Sequence, residues 1–281
     1  MSILRDRFGR GLGVDPVIWR AGSWRDPVSN RREAPAGPFG GDVSLQTNLL
    51  AYYAMEDNAA NGVVTDSTPA AKHGTYTVNT NTVHFTPAKH NDGFDCGLNI
   101  NQNVDVTCLE GSPGDYFHKD KPFSMSCWIR LDGSTPSAAG ELFTNFKLYS
   151  GSTHGFMMGI DGSNQLTLRI YDLGTTCFWE AKHPTGLSAD IWYMATYTYD
   201  GSNTLAGLTT YLNASSGGLT RTGSNFPGMV RTDVLQLFDN PGGGQDWIRQ
   251  VDEMGIWAKE LAAGTDVTNL YALGAGLYYD D

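Results

Sequence analysis

Apolar and polar residues alternate along three stretches of the chain. From Phe123 to Leu131 every second residue is apolar, and the segments 166–171 and 191–199 repeat this alternation. A period of two places successive side chains on opposite faces of a β-strand, whereas a helix would scatter the same residues around its axis. The pattern therefore predicts strands that turn one face towards a core.

Turn-forming residues separate these runs. Asp-Gly or Gly-rich segments occur at 132–133, 161–164, 200–203 and 241–244, and such residues favour tight connections between antiparallel strands. Many short strands with almost no helical periodicity are typical of two packed antiparallel sheets. The prediction is an all-β jelly-roll sandwich with one short C-terminal helix near residues 266–273.

The first 44 residues differ in composition from the rest. They contain seven arginines, no lysine and five acidic residues, so they carry a net +2, and the remaining residues carry −13 of a chain total of −11. Four prolines, frequent glycine and few periodic apolar residues predict an extended arm. We therefore expect an arm over residues 1–44 and one sandwich domain over residues 45–281, since all-β domains of about 200–250 residues are common.

Large aromatic residues recur along this arm and indicate that it binds a surface. Rings that enter pockets, and guanidinium groups that pair with carboxylates, suit an arm that lies on another protein. The alternative is that the arm folds back onto its own acidic sandwich. The candidate partner-binding residues are Arg7, Phe8, Arg10, Trp19, Arg20, Trp24, Arg25 and Phe39.

Four segments resemble, in order, those of a known family. They are 49–53 (Leu-Leu-Ala-Tyr-Tyr), 122–130 (with Phe-Ser-Met-Ser-Cys-Trp), 192–202 (ending in Tyr-Asp-Gly-Ser) and 251–257 (with its acidic pair). Together they resemble the laminin-G-like branch of the concanavalin A-like lectin/glucanase superfamily. The resemblance implies a concanavalin A-like sandwich but no single function, since this fold hosts lectins, glycanases, adhesion modules and virion proteins.

No catalytic residues are expected. The glucanases of this superfamily carry two carboxylates on one strand, and retention of configuration needs these groups about 5–5.5 Å apart. The nearest candidates are Asp252 and Glu253, which point to opposite faces of a regular strand, and Glu180, which stands alone. The sequence therefore predicts a non-enzymatic protein.

Calcium is the one cofactor that the resemblance suggests. Many sandwiches of this kind bind Ca²⁺ through oxygen ligands in rim loops, and by resemblance the ligands here are Asp66 and Asp252. The alternative is that Asp66 caps a turn and that Asp252 pairs with an arginine. The six histidines show no metal-binding spacing.

Glycan recognition requires aromatic faces beside hydrogen-bonding groups. Tyr171, Trp179, His183 and Trp247 lie in or beside predicted loops and are the candidate glycan-binding residues. The alternative for each of them is buried packing.

Charge and hydropathy argue against other partners. A net charge of −11 disfavours nucleic acid because phosphates would be repelled, and no apolar run reaches the ~18 residues of a membrane span. Charges interrupt the first ten residues, so no signal peptide is expected. The four cysteines form no CxxC pair, and we expect reduced thiols, with a Cys96–Cys108 disulfide as the alternative.

These features favour a structural protein of a virion, such as a phage capsid-decoration protein. In this hypothesis the arm binds a capsid protein or another virion protein, and the sandwich is displayed outside, where surface glycans form a second class of partner. Similarity to lectin-like domains of phage particles supports the hypothesis by association. The alternative is a carbohydrate-binding or adhesion module of a cellular protein, and a homo-oligomer is left open.

Overall fold

The fold is taken from a computed structural model. It describes residues 37–56, 63–76, 84–85, 88–90, 93–95, 104–106, 117–118, 120–131, 140–144, 147–149, 152–172, 177–223, 235–237 and 248–272. The partner-binding candidates before residue 37, and the glycan candidate Trp247, lie outside these residues. Within the described ranges no helix is long and apolar enough to cross a membrane.

Short strands make up most of the described chain. The helical turns are α1 (Gly37–Gly40), α2 (Val43–Gln46), a 3₁₀ turn (Leu205–Gly207), a π-helical turn (Ala263–Val267) and α3 (Thr268–Tyr271). The strands are β1 (Leu49–Tyr53), β2 (Val63–Val64), β3 (Gly74–Tyr76), β4 (His84–Phe85), β5 (Gly93–Asp95), β6 (Val104–Val106), β7 (Phe123–Leu131), β8 (Gly140–Thr144), β9 (Lys147–Tyr149), β10 (Ser152–Ile160), β11 (Gln165–Asp172), β12 (Cys177–Gly186), β13 (Trp192–Tyr199), β14 (Leu208–Leu212), β15 (Thr220–Gly223), β16 (Leu235–Leu237) and β17 (Ile248–Trp257).

The described strands pair antiparallel into two sheets. A ten-stranded sheet has the order β15-β12-β11-β10-β8-β16-β6-β3-β2, with β9 paired to β10. A seven-stranded sheet has the order β14-β13-β7-β17-β5-β4, with β1 paired to β17. The three alternating segments of the sequence are β7, β11 and β13, so the predicted all-β sandwich is confirmed, as is its short C-terminal helix.

The main core lies between the inner faces of the two sheets. Met125 and Ile129 of β7 face Leu168 and Ile170 of β11 across this layer, and all four are buried. Cys127 lies in the same core, where the alternation of β7 places it. Each such side chain removed from water contributes roughly 1.5–3 kcal/mol, so this layer dominates the stability of the domain.

A second buried cluster covers the outer face of the seven-stranded sheet. The terminal segments 39–46 and 261–271 lie over this face, and the indole Nε1 of Trp257 donates to the carbonyl oxygen of Leu45 at 2.7 Å. The cluster consists of Phe39, Leu45, Tyr52, Trp128, Met194, Tyr211, Trp257, Leu261, Val267 and Leu270. The two ends of the described chain therefore close this face together.

Phe39 is a correction to the predicted arm. Its side chain is 0 % exposed, and its ring packs edge-on against Tyr52 with a centroid distance of 5.2 Å. Asp42 holds the segment in place, because its carboxylate accepts from the backbone N–H of Ser44 at 2.9 Å and from Asn269 Nδ2 at 2.9 Å. Phe39 thus packs on its own domain and is unavailable to a partner.

Candidate functional site

Strand β17 carries the acidic pair at a β-bulge. Asp252 lies opposite Trp128 and Gly255 opposite Ser126, so β17 has one more residue than β7 between these pairs. Glu253 adopts the left-handed region, with φ of 51°, as occurs at bulges and strained positions. The assumption of a regular strand, which separated the two carboxylates by alternation, is therefore wrong.

Asp252 is a buried carboxyl group with a strongly raised pKa. Its side chain is 0 % exposed. Burial raises the pKa of Asp252 to about 9, and the neighbouring charge of Glu253 also raises it. Oδ2 accepts from the backbone N–H of His90 at 2.7 Å, whereas Oδ1 has no hydrogen-bond partner in the described part of the chain.

Asp66 organises the loop that follows β1. Oδ1 accepts from the backbone N–H groups of Tyr52 and Thr68, both at 2.9 Å. Oδ2 accepts from Thr68 Oγ1 at 2.8 Å and from the backbone N–H of Lys72 at 2.7 Å. A carboxylate offers about four lone-pair sites, so Asp66 is fully used as a cap for this loop.

The surroundings of Asp66 do not fit the calcium ligand that the resemblance suggested. Its four hydrogen bonds all come from its own chain, which leaves no lone pair for an ion. In the described ranges no group of three or more His, Cys, Asp or Glu side chains could hold a metal ion. We therefore treat Asp66 as a structural residue.

Asp66→Ala should destabilise the domain by about 2–3 kcal/mol, because buried N–H donors would lose a charged acceptor. Thermal melts of the variant and the unchanged protein, each with and without EDTA, check this expectation. The variant should melt earlier by the same amount in both conditions. A melt of the unchanged protein that drops on chelation, with no such drop in the variant, would instead place an ion at Asp66.

Trp179 and His183 are corrections to the predicted glycan site. They lie within strand β12, not in a loop, and its alternation turns both inward, with 7 % and 3 % exposure. Gly223 packs directly against the indole of Trp179. A Cβ at this glycine would lie only 2.6 Å from Trp179 Cδ1, which is too close for a larger residue. His183 is held by Ser215, whose carbonyl oxygen lies 3.1 Å from Nε2. Both rings are therefore buried, which is the packing alternative that the sequence left open.

Tyr171 does lie on an outer surface, on the side of the ten-stranded sheet that faces away from the core. It is partly exposed and sits in register with Gly155 on β10 and Phe178 on β12. The rings of Tyr171 and Phe178 have centroids 6.2 Å apart. We name this surface the Tyr171 face, and its partly exposed residues are Met157, Arg169, Tyr171, Phe178, Glu180 and Lys182.

Two ion pairs lie beside the aromatic pair. Arg169 Nε donates to Glu180 Oε2 directly across β11 and β12, and Lys182 Nζ contacts Asp161 Oδ2 at the end of the face. Burial lowers the pKa of Arg169, but Tyr171 and Glu180 more than offset it, so the net shift is upward. Each of the two cations is therefore paired with a carboxylate.

Asp161 is also fixed by its turn. Burial alone would raise the pKa of Asp161, but the bond from Lys182 and the backbone N–H groups of Gln165 and Ser163 lower it overall. The two N–H groups donate to Oδ1 at 3.0 and 2.9 Å. The Asp-Gly turn predicted at 161–164 thus positions one carboxylate of the face.

Sequence reasoning missed most of the Tyr171 face. Phe178, Glu180 and Lys182 alternate with Trp179, Ala181 and His183 along β12. The sequence did contain a signal for this strand, because the charged residues Glu180 and Lys182 alternate with the small, apolar Ala181. Taking this segment as a loop hid the alternation, because a loop has no fixed inner and outer face.

The architecture and these surfaces define an all-β, lectin-like sandwich. A family model described as the concanavalin A-like lectin/glucanases superfamily matches residues 103–265, so the chain belongs to this superfamily. A search of curated proteins by sequence found no match.

Several solved structures share the fold. The binding domain of Paraclostridial Mosquitocidal Protein 1 matches with a TM-score of 0.57 and 16% identity, over 81% of this chain and 52% of that one. The receptor binding domain of botulinum neurotoxin D matches with a TM-score of 0.57 and 13% identity, over 81% and 53%. A Trypanosoma rangeli sialidase matches with a TM-score of 0.52 and 11% identity, over 83% and 34%.

These likenesses concern the fold alone. The chain spans about half of the two toxin domains and about a third of the sialidase. A likeness at such low identity does not carry a site over from one protein to the other, so function has to be argued from this chain's own residues.

Proposed function

We propose that this protein is a non-enzymatic virion structural protein, a capsid-decoration or other particle-surface protein, which presents the Tyr171 face to host or environmental glycans. One contrast carries the glycan part of the proposal. The outer face of the seven-stranded sheet is covered by the chain's own segments 39–46 and 261–271. The Tyr171 face instead combines partly exposed aromatic rings with charged hydrogen-bonding groups, the chemistry that sugar rings and hydroxyls require.

The attachment part of the proposal rests on the first 36 residues. They hold the seven arginines together with Phe8, Trp19 and Trp24, a composition that suits pockets and carboxylates on a capsid or other virion protein. The competing proposal is a carbohydrate-binding or adhesion module of a cellular protein. It uses the same face without a particle, so attachment decides between the two.

The electrostatics of the carboxylates support a non-enzymatic role. A glycosidase needs one carboxylic acid with a raised pKa within reach of the substrate. Asp161 on the Tyr171 face has a lowered pKa. Asp252 and Glu260 have raised pKa values, but Asp252 is fully buried, and Glu260 follows β17 of the other sheet, away from the Tyr171 face. We therefore expect no hydrolysis above background when the protein is tested on polysaccharides in a reducing-sugar assay.

Tyr171→Ala should weaken glycan binding about tenfold, because the exposed ring supplies the apolar contact to a sugar face and tenfold corresponds to ~1.4 kcal/mol. The protein is coupled in many copies to beads and applied to a polysaccharide array, since a weak single site becomes measurable through avidity. The matched control for Tyr171→Ala is Val43→Ala. This substitution shortens an exposed side chain in the segment that covers the seven-stranded sheet, away from the Tyr171 face.

Binding by the unchanged protein and by Val43→Ala, with loss in Tyr171→Ala and equal melts, supports the proposed face. Binding that is identical in Tyr171→Ala would place recognition elsewhere. An absence of binding even by the multivalent protein would leave the sandwich as a cover or spacer on its particle.

A further inference from the structure

We infer that the Tyr171 face selects uncharged glycans and rejects sulfated or carboxylated ones. This inference rests on the proposed glycan-binding role of that face. It concerns the class of sugar, which the shared fold leaves open, and it follows from how charges are distributed across strands β11 and β12 and the turn at 161–164.

Every charged side chain described on or beside the Tyr171 face has a partner of opposite sign within it. Arg169 contacts Glu180, and Lys182 contacts Asp161. Among the side chains that the structure describes here, two cations and two carboxylates balance one another. The side chains are 11–30% exposed, so salt screens the pairs less than it would at a fully exposed site.

Paired charges of this kind suit hydroxyl groups. A sugar hydroxyl both donates and accepts hydrogen bonds, and the face offers N–H donors on Arg169 and carboxylate acceptors on Glu180 within one row. From Phe178 to Lys182 the face extends four residues along β12, or about 13 Å at 3.3 Å per residue. That length accommodates more than one sugar ring, with the aromatic pair at one end.

An anionic sugar meets two obstacles on the same surface. A sulfate or carboxylate that approaches Arg169 or Lys182 also comes close to Glu180 or Asp161, the carboxylates in contact with these cations, and is repelled by them. The chain as a whole carries −11, which adds a long-range repulsion. Like charges in close contact are a general means of excluding a wrong ligand.

The test compares neutral polysaccharides with their anionic derivatives: dextran with dextran sulfate, agarose with sulfated agarose, and cellulose with carboxymethylcellulose. Bead-coupled full-length protein is measured at about 150 mM salt, where distant charges are screened. We expect at least one neutral polymer to bind, and its anionic derivative to bind at least ~10-fold more weakly.

Glu180→Gln is the decisive variant. It leaves Arg169 without its carboxylate, so binding to the anionic derivative should rise about fivefold or more and should fall again with added salt. Asp190→Asn is the matched control, because it also removes a carboxylate from an arginine pair, with Arg130 at 3.0 Å, away from this face. It should leave the neutral-to-anionic ratio unchanged.

Lys182→Gln keeps the test decisive if Glu180→Gln does not fold. It leaves Asp161 without its cation and should weaken anionic binding further. Anionic polymers that bind as well as neutral ones, in a manner lost in Tyr171→Ala, would overturn the inference while the glycan-binding role stands. Binding to neither class would overturn both, and an unchanged ratio in Glu180→Gln would overturn the role given to the ion pair.

Discussion

Asp252→Asn should make the protein more stable at neutral pH. Burial raises the pKa of Asp252 to about 9 in the folded state, whereas an unfolded chain releases this proton near pH 4. Between these values the folded state binds one proton more, so the free energy of unfolding falls by about 1.4 kcal/mol per pH unit as pH rises. Below about pH 4 the effect is absent, and at pH 7 it amounts to up to about 4 kcal/mol.

Asparagine removes this titration and keeps an acceptor for the backbone N–H of His90, which Asp252 binds at 2.7 Å. Urea unfolding at about pH 5 and about pH 8 measures the effect. The unchanged protein should lose stability between the two pH values, and the variant should lose much less. Asp190→Asn, at an exposed ion pair with Arg130, is the control and should follow the unchanged protein. Parallel pH profiles for Asp252→Asn and the unchanged protein would show that Asp252 is ionised in the fold.

Phe39→Ala should destabilise the domain by about 3–5 kcal/mol, the usual loss for a buried phenylalanine. The ring is 0 % exposed and contacts Tyr52 and Trp257, at centroid distances of 5.2 and 6.1 Å. The free energy of unfolding of a folded protein is about 5–15 kcal/mol, so the expected loss is a large fraction of the total. At roughly 2–4 °C per kcal/mol for a domain of this size, the melting temperature should fall by about 10 °C.

Val43→Ala is the matched control for Phe39→Ala, because Val43 lies in the same segment and is 72% exposed. It should change the free energy of unfolding by less than ~0.5 kcal/mol. Calorimetric melts of the three proteins test this expectation. Equal melts for Phe39→Ala and the control would mean that the segment 39–46 is not part of the folded domain.

Much of the fold was predictable because half-buried strands produce a clear alternation of apolar and polar residues in the sequence. The alternation from Phe123 to Leu131 gave β7 and the inner position of Cys127, and the Asp-Gly turns gave strand ends. These signals are local, since they depend on side-chain period and backbone turn chemistry. Local signals sufficed for the sandwich and its short last helix.

The sequence predictions failed at positions whose conformation depends on tertiary contacts. Phe39 belongs to a segment rich in glycine and proline, and its ring packs against Tyr52 and Trp257, which local sequence patterns do not link to it. The bulge at Glu253 shifts the alternation of β17 by one residue, and no local sequence pattern predicts this shift. The Tyr171 face is assembled from three strands, so its ion pairs become visible only when the register of β11 and β12 is known.

The proposal of an arm-anchored particle protein depends most directly on what the first 36 residues do. A chain that begins at residue 37 retains Phe39, Leu45 and the whole second cluster, so the truncation separates attachment from folding. The measurement is co-sedimentation of the full chain and the truncated chain with the large particles of the source culture, with melts recorded in parallel. The account predicts that the full chain sediments with the particles in a salt-sensitive way, and that the truncated chain melts at the same temperature but stays in the supernatant. A truncated chain that still sediments with the particles, or a full chain that sediments with none, would contradict it.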